Sequence, residues 1–370
     1  MNIISRIKEV LFADNLQKPT AKKRFTPQIS RPQPYRVDVD LAKLKEAVSM
    51  AKNPDSPNRY LLYTLYDEIL QDSHLAAQIR TAKLTVTKSE FELQKKGKPD
   101  ETASELLKVP WFDDFISYTL DSEFFGHSLI EFGLLNEDKQ FEQVNLIPRR
   151  NVKQEKGLVV PDPTEDDGII YRDNLTEWFL IETGGRYDLG LLEQATREVL
   201  IKNYARSDWS QASEKYGMPL LKIKTSTQDP KEVDRVEAMA QDFAQNGYVI
   251  INNEDDVEIT QIKETDFYKI YLENISHSNE NISKLINGQT GTSDEKSYVG
   301  SANVHERILN DYTFSRMRKL QYIINHQLLP FLIHYGYPLK DYTFVFPELT
   351  KVETGNNKPQ KLSLSDTDFS

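Results

Sequence analysis

The segment NGQTGTSDEKSYVGSANVHER, residues 287–307, separates two helical patterns with glycines at 288, 291 and 300 and a run of short polar side chains. Before it, DFYKIYLENISHSNENISKLING repeats its apolar residues at helical spacing. After it, Val304, Ile308, Tyr312, Met317, Leu320, Ile324, Leu328 and Phe331 predict one long helix from Ala302 to about Tyr335. A glycine-rich loop next to a helix suggests a phosphate cradle, but the pattern fails. A P-loop needs G-x-x-x-x-G-K-[ST] after a buried strand. Here Gly291, Lys296 and Ser297 are present, yet Glu295 occupies the second glycine's place and the preceding element is a helix. Asp294 and Glu295 would also face the phosphates. No G-x-G-x-x-G fingerprint occurs, so no nucleotide or other cofactor is expected.

Working outward, the helix before the loop is preceded by a small α/β module. MPLLKIKT reads as a strand. DPKEVDRVEAMAQDFAQNG reads as a helix with Asp229 at its N-cap, Pro230 at its first position and Gly247 beyond its end. YVIINNEDDVEITQIK reads as two strands around a turn. Another long helix, LGLLEQATREVLIKNYARSDWSQASEKYG, leads into the module and ends at Gly217. The order is therefore helix, βαββ insert, helix, glycine loop, long helix.

Residues 55–186 predict an α+β body. Leu61, Leu62, Leu65, Ile69 and Leu70 share one helical face, and Asp72 or Ser73 caps a second helix through SHLAAQIRTAKLTV. KSEFELQKKG alternates like a strand ending at Gly97. ETASELLKVPWFDDFISYTLDSEFFG is helical on both sides of Pro110 and closes at Gly126. HSLIEFGLL and FEQVNLIPRRNV read as a strand hairpin. The acidic stretch 161–188 reads as a further hairpin with solvated acids; it is no calcium loop, because Asp167 stands where the EF-hand turn needs glycine. YTFVFPEL is a terminal strand. The tail 351–370 has almost no apolar content and is expected to be disordered. Residues 1–13 suit a short amphipathic helix. Residues 14–36 form a basic, proline-rich arm (Lys18, Lys22, Lys23, Arg24, Arg31, Arg36) that either meets an acidic partner or a neighbouring surface, or is a solvated tail.

Composition narrows the chemistry. The 370 residues contain no cysteine, which removes disulfides, thiolate metal sites and cysteine catalysis. Only six histidines occur, and His305, His326 and His334 are too widely spaced along the long helix to share a ligand. No run of eighteen apolar residues exists, so no membrane partner is expected, and the polar N-terminus lacks a secretory signal's cleavage site. The formal net charge of −11 opposes tight binding to a phosphate backbone. Asp255 and Asp256 in NEDDVE could hold a metal, but such a run on a turn also suits a solvated face.

Three places resemble the Mu-type family of phage portal proteins. Tyr216-Gly217-Met218-Pro219 is similar to the family's Gly-hydrophobic-Pro step into a strand. Gly288, Gln289, Thr290, Thr292, Gly300, Ser301, Val304 and His305 resemble its G-Q-T-x-T … G-S … A-x-V-H segment. Gly126–Glu131 resembles its G-x-S-x-x-E helix-to-strand step. The resemblance spans roughly residues 55–345, and the short C-terminus implies that the crown is minimal or absent.

The resemblance implies an α+β portal-type fold: an arm and linker (1–54), a wing (55–186), stem helices (187–217 and 265–287), an α/β clip (218–264), a tunnel loop (288–299), and a long wing helix with terminal strand (300–350). It implies a homo-oligomeric ring of about twelve in the virion, made in the host cytoplasm. Double-stranded DNA would pass through without sequence recognition. Partners would be the major capsid or scaffold protein, the large terminase and a head-tail adaptor. The loop residues Gly288, Gln289, Thr290, Gly291, Thr292, Ser293, Asp294, Glu295, Lys296 and Ser297 would face DNA. Lys222, Lys224, Glu254, Asp255 and Asp256 would face the partners of the clip. A passage for DNA must not grip it, and acids that repel phosphate beside neutral hydroxyls make a compliant contact. The same loop also suits an ordinary helix connection. Two other readings stay open: a head-to-tail adaptor using the basic arm, and a metal-dependent nuclease using Asp255 and Asp256.

Overall fold

A computed structural model describes residues 40–349, apart from 138–139, 178, 217–219, 225–233, 235–255, 261–266 and 291–298. The N-terminal arm, the C-terminal tail, most of the βαββ module and most of the glycine loop therefore lie outside the described residues. The chain divides into two compact units: residues 1–197 with 280–370, and residues 198–279. The second unit is thus an insertion into the first, leaving it within one long helix and rejoining it within another.

In the first unit, α1 (Leu41–Ala51) buries Leu44, Ala47 and Ala51 and is capped by Asp40, whose carboxylate accepts from Lys43 N. This helix falls inside the stretch expected to be arm and linker. The difference arises because three small or aliphatic residues at helical spacing suffice to seat it on α2 (Tyr60–Ile69). The expected face of α2 is only part of what it buries: Tyr63, Thr64 and Tyr66 are buried as well as Leu62, Leu65 and Ile69. Asp72 caps α3 (Ser73–Thr87), accepting from His74 N and Leu75 N at 3.1 and 3.0 Å. Satisfying these otherwise unpaired amides stabilises the helix by about 1 kcal/mol.

β1 (Glu92–Lys95) stops at the expected glycine turn, where Lys96-Gly97, both at positive φ, lead into the short β2 (Lys98–Pro99) of a tight hairpin. Asp100 caps α4 (Glu101–Ser104) by accepting from Ala103 N, and its other oxygen accepts from the Tyr342 hydroxyl at 2.7 Å. α5 (Pro110–Phe125) begins with proline, whose missing N–H costs nothing there, and ends at Gly126 with φ +85°.

β3 (His127–Phe132) lies between β4 (Val144–Leu146) and β8 (Leu180–Gly184) in an antiparallel sheet, so the expected hairpin of β3 and β4 forms. The stretch 161–188 is not a hairpin. β7 (Ile169–Ile170) pairs with β6 (Leu158–Val159), which pairs with β5 (Val152–Lys153), whereas β8 joins β3. Its acids are not all solvated either: Glu182 is largely buried and bound on three sides, whereas Asp166 stays exposed while pairing with Lys153 and Lys156.

After α6 (Leu192–Tyr216), the second unit contains β9 (Leu220–Lys224) and β10 (Asp256–Thr260) as an antiparallel pair, and then most of α7 (Phe267–Asn287). α8 (Val299–Ile323) continues through a π-helical turn, Ile324–Leu328, into α9 (Leu329–His334). The expected single helix is therefore interrupted near Pro330. The Asn325 side chain occupies the break, donating to Phe344 O and accepting from Phe344 N of β11 (Tyr342–Val345). β11 pairs with β1. The main core lies where α5, α8, α9 and these strands meet. It is strongly aromatic, with Phe132 and Phe331 at 4.6 Å between ring centroids and Trp111 edge-on to Phe112 and Phe141.

Candidate functional site: the seat of the glycine loop

The described part of the loop begins where α7 ends. Gly288 has φ +73°, and its N–H donates to Lys284 O at 3.0 Å, closing the helix in a conformation that side chains resist. A Cβ at this position would lie 2.3 Å from the Tyr312 ring of α8. The chain thus turns out of the helix directly beneath an aromatic ring.

Three polar contacts hold the preceding turn. Asn287, buried, donates to the Gln78 side-chain oxygen at 2.7 Å and to Gln78 O at 3.3 Å. Ser283 Oγ lies 2.9 Å from His74 Nε2. Ile286 O, one of the carbonyls a helix end leaves unpaired, accepts from Arg316 Nη2. Arg316 is itself buried and reaches Glu123 of α5 at 3.0 Å, with Nε also donating to both carboxylate oxygens. One guanidinium therefore ties α5, the end of α7 and α8 together. Charge-assisted bonds of this kind are roughly twice as strong as neutral ones. The loop departs from a fixed point in the first unit.

The second buried polar group fixes the approach to α6. Gly126, Gly184 and Gly190 cross so closely that a Cβ on each would meet backbone atoms at 2.2–2.4 Å: Asp188 O, Gly126 O and Phe124 O respectively. The Arg149 guanidinium stacks on the Phe125 ring at 3.8 Å, donating to His127 O and Ser128 Oγ. This gives Gly126 and Ser128 of the G-x-S-x-x-E step their roles: close backbone approach and an arginine acceptor. Behind it, His127 Nε2 meets Glu182 at 3.0 Å, while Tyr171 and Arg172 donate to the same carboxylate. Burial alone would raise the Glu182 pKa, but the bonds from His127 and Arg172 prevail and hold it at about 2. Burial pushes His127 below its ordinary value despite Glu182. These contacts tie β3 and β8 to the turn that carries Tyr171 and Arg172.

Of the loop residues singled out from the sequence, Gly288, Gln289 and Thr290 are described, and Gln289 is buried. Gly291, Thr292, Ser293, Asp294, Glu295, Lys296 and Ser297 lie outside the described residues. Lys222 and Lys224 are on β9 and Asp256 on β10, where Asp256 is the register partner of Lys224 and Glu258 that of Lys222. Glu254 and Asp255 lie outside. Among the described residues no group of three or more His, Asp or Glu could hold a metal, and no helix is long and apolar enough to cross a membrane.

Sequence reasoning missed Arg316, Glu123, Gln78 and His74. Arg316 did leave a trace: it shares the helical face of Thr313 and Leu320, both buried, and a charge in a core register calls for a buried partner.

The family model for the portal protein of Mu bacteriophage matches residues 63–361. The chain belongs to the Mu bacteriophage portal protein family. No curated protein matches this portal chain. Among solved structures, it is similar to a chain in the virion of a native gene transfer agent particle, with TM-score 0.54 and 12% identity over 86% of this chain and 93% of that one. It is also similar to a chain in the neck of an empty gene transfer agent particle computed with C6 symmetry, with TM-score 0.52 and 12% identity over 81% and 91%. An HK97 family phage portal protein from Corynebacterium diphtheriae aligns over 78% and 96% at 11% identity, with TM-score 0.46. At these identities the first two likenesses show the fold of the portal chain.

Proposed function

We propose that this portal chain is one subunit of a ring of about twelve at a single capsid vertex, conducting double-stranded DNA during packaging and ejection. The ring docks the large terminase and later the head-tail adaptor, and it sits in the major capsid or scaffold protein. The observation that carries this reading is the inserted unit 198–279, bounded by long helices and rejoining the first unit just before a loop whose root is pinned by Arg316 and Asn287. On this reading 187–217 and 265–287 are the stem, 218–264 the clip that meets the terminase or adaptor, and 288–299 the loop over the channel. The C6 symmetry used for the neck containing a similar chain is compatible with twelve subunits. A net charge of −11 suits a passage that must let phosphates slide. A portal of this kind is structural and turns over no substrate.

Native mass with negative-stain imaging tests the ring: about a dozen copies around a central hole is expected. A chain that stays monomeric at every concentration, with or without capsid and scaffold proteins, overturns the reading. Replacing 290–297 by Gly-Ser is expected to leave the ring intact and to impair packaging or DNA retention. Normal packaging by that variant would remove the loop's role.

A further inference from the structure

A cleft of about 560 Å³ opens on the first unit between the last turns of α5, the 184–188 turn and α8. Its floor is apolar, with Leu120 and Leu320 buried, and Tyr322 stands 64% exposed at its edge. The Arg316 charge in its wall is already used by Glu123. Lys319, exposed on the same rim, has no ion-pair or hydrogen-bond partner among the described residues. Asp188 is the other acid on the lining, and its carboxylate accepts from Gly190 N. The cleft therefore offers apolar surface and one unspent cation.

The complementary surface lies elsewhere on the same unit. β7 is an edge strand, and its two residues, Ile169 and Ile170, are 40% and 57% exposed. The loop leading into it carries four acids, of which Asp162 accepts from the Thr164 N–H and hydroxyl. Asp166 is taken by Lys153 and Lys156, but Glu165 and Asp167 are exposed and their carboxylates have no partner among the described residues. An apolar edge flanked by free carboxylates is an open interaction surface.

We propose that the Glu165–Ile170 edge of one copy seats in the Lys319–Tyr322 cleft of the next. The two isoleucines would cover the apolar floor, and Asp167 or Glu165 would meet Lys319. Two unlike patches on one unit make a head-to-tail contact, which closes into a ring when its rotation allows. The inference rests on the ring reading given above and names a surface that holds the ring.

The absence of cysteine makes the test clean. Lys319→Cys and Asp167→Cys chains, mixed and treated with a short bismaleimide, are expected to yield an intermolecular product that neither chain yields alone. Lys319→Glu and Asp167→Lys are each expected to weaken association about tenfold per interface, and the double reversal to restore it. Ile170→Ser is expected to weaken it without a partner that rescues. All three sites are exposed, so an unchanged thermal midpoint of the isolated chain certifies folding. If wild-type rings form while the mixed cysteines do not cross-link and the reversals leave assembly unchanged, this surface is wrong and the ring reading stands. If the wild-type chain forms no ring, both fall. If Lys319→Glu assembles normally but loses binding to an acidic peptide, the cleft serves another partner and the inference is overturned.

Discussion

Arg316→Met tests whether one guanidinium seats the loop. The substitution keeps length and helix propensity but removes every bond to Glu123 and Ile286 O. Breaking a buried ion pair from one side costs about 3–5 kcal/mol, because the partner charge is stranded. Glu123 retains 23% side-chain exposure, so its carboxylate recovers part of its hydration. The orphaned Ile286 carbonyl adds about 1 kcal/mol. The net expectation is a loss of about 2–4 kcal/mol in the first unit. For a unit of this size that is about 4–16 °C in Tm. The transition to follow is that of the first unit, since two units need not unfold together. Adding Glu123→Gln to Arg316→Met removes the stranded charge, so the double variant is expected to be more stable than the sum of the singles by about 1–2 kcal/mol. A loss below about 1 kcal/mol, or strict additivity, would refute the clamp.

Other substitutions separate space from backbone conformation. Gly288→Ala is expected to cost about 1–2 kcal/mol in thermal denaturation, because Tyr312 is 41% exposed and its ring can swing aside. Gly126→Ala meets Asp188 O, which is backbone and cannot yield, so loss of soluble chain is expected on expression. Gly97→Ala, at φ +74° with open space around it, is the control and is expected to cost only about 1 kcal/mol. Acid is expected to destabilise the first unit in two stages, read from unfolding midpoints against pH. The His127 pKa is depressed from 6.5, so its contribution is complete above about pH 6.5 and is lost as pH falls. The Glu182 pKa falls from 4.5 to about 2, so its contribution is present above 4.5 and lost between there and 2. His127→Gln should flatten the first stage; an unchanged profile would place the acid sensitivity elsewhere.

The helices on each side of the loop, the α5 stop at Gly126 and the cap at Asp72 were legible because each depends on residues within a turn or two. So was the glycine that ends α7, since a left-handed backbone selects glycine locally. The order of helix, insert, helix and loop followed from the same short-range signals, and the net acidity needed no fold at all. Tertiary structure alone decided that Ile169–Ile170 pairs with β6 and that β8 joins β3, because a two-residue strand carries no period from which a partner can be read. It also decided that Asn325 fills a π turn, that Glu182 is bound rather than solvated, and that Arg316 joins α5, α7 and α8. These contacts bring together residues tens to hundreds of positions apart, and their energy comes from burial and desolvation, which exist only once the chain has packed.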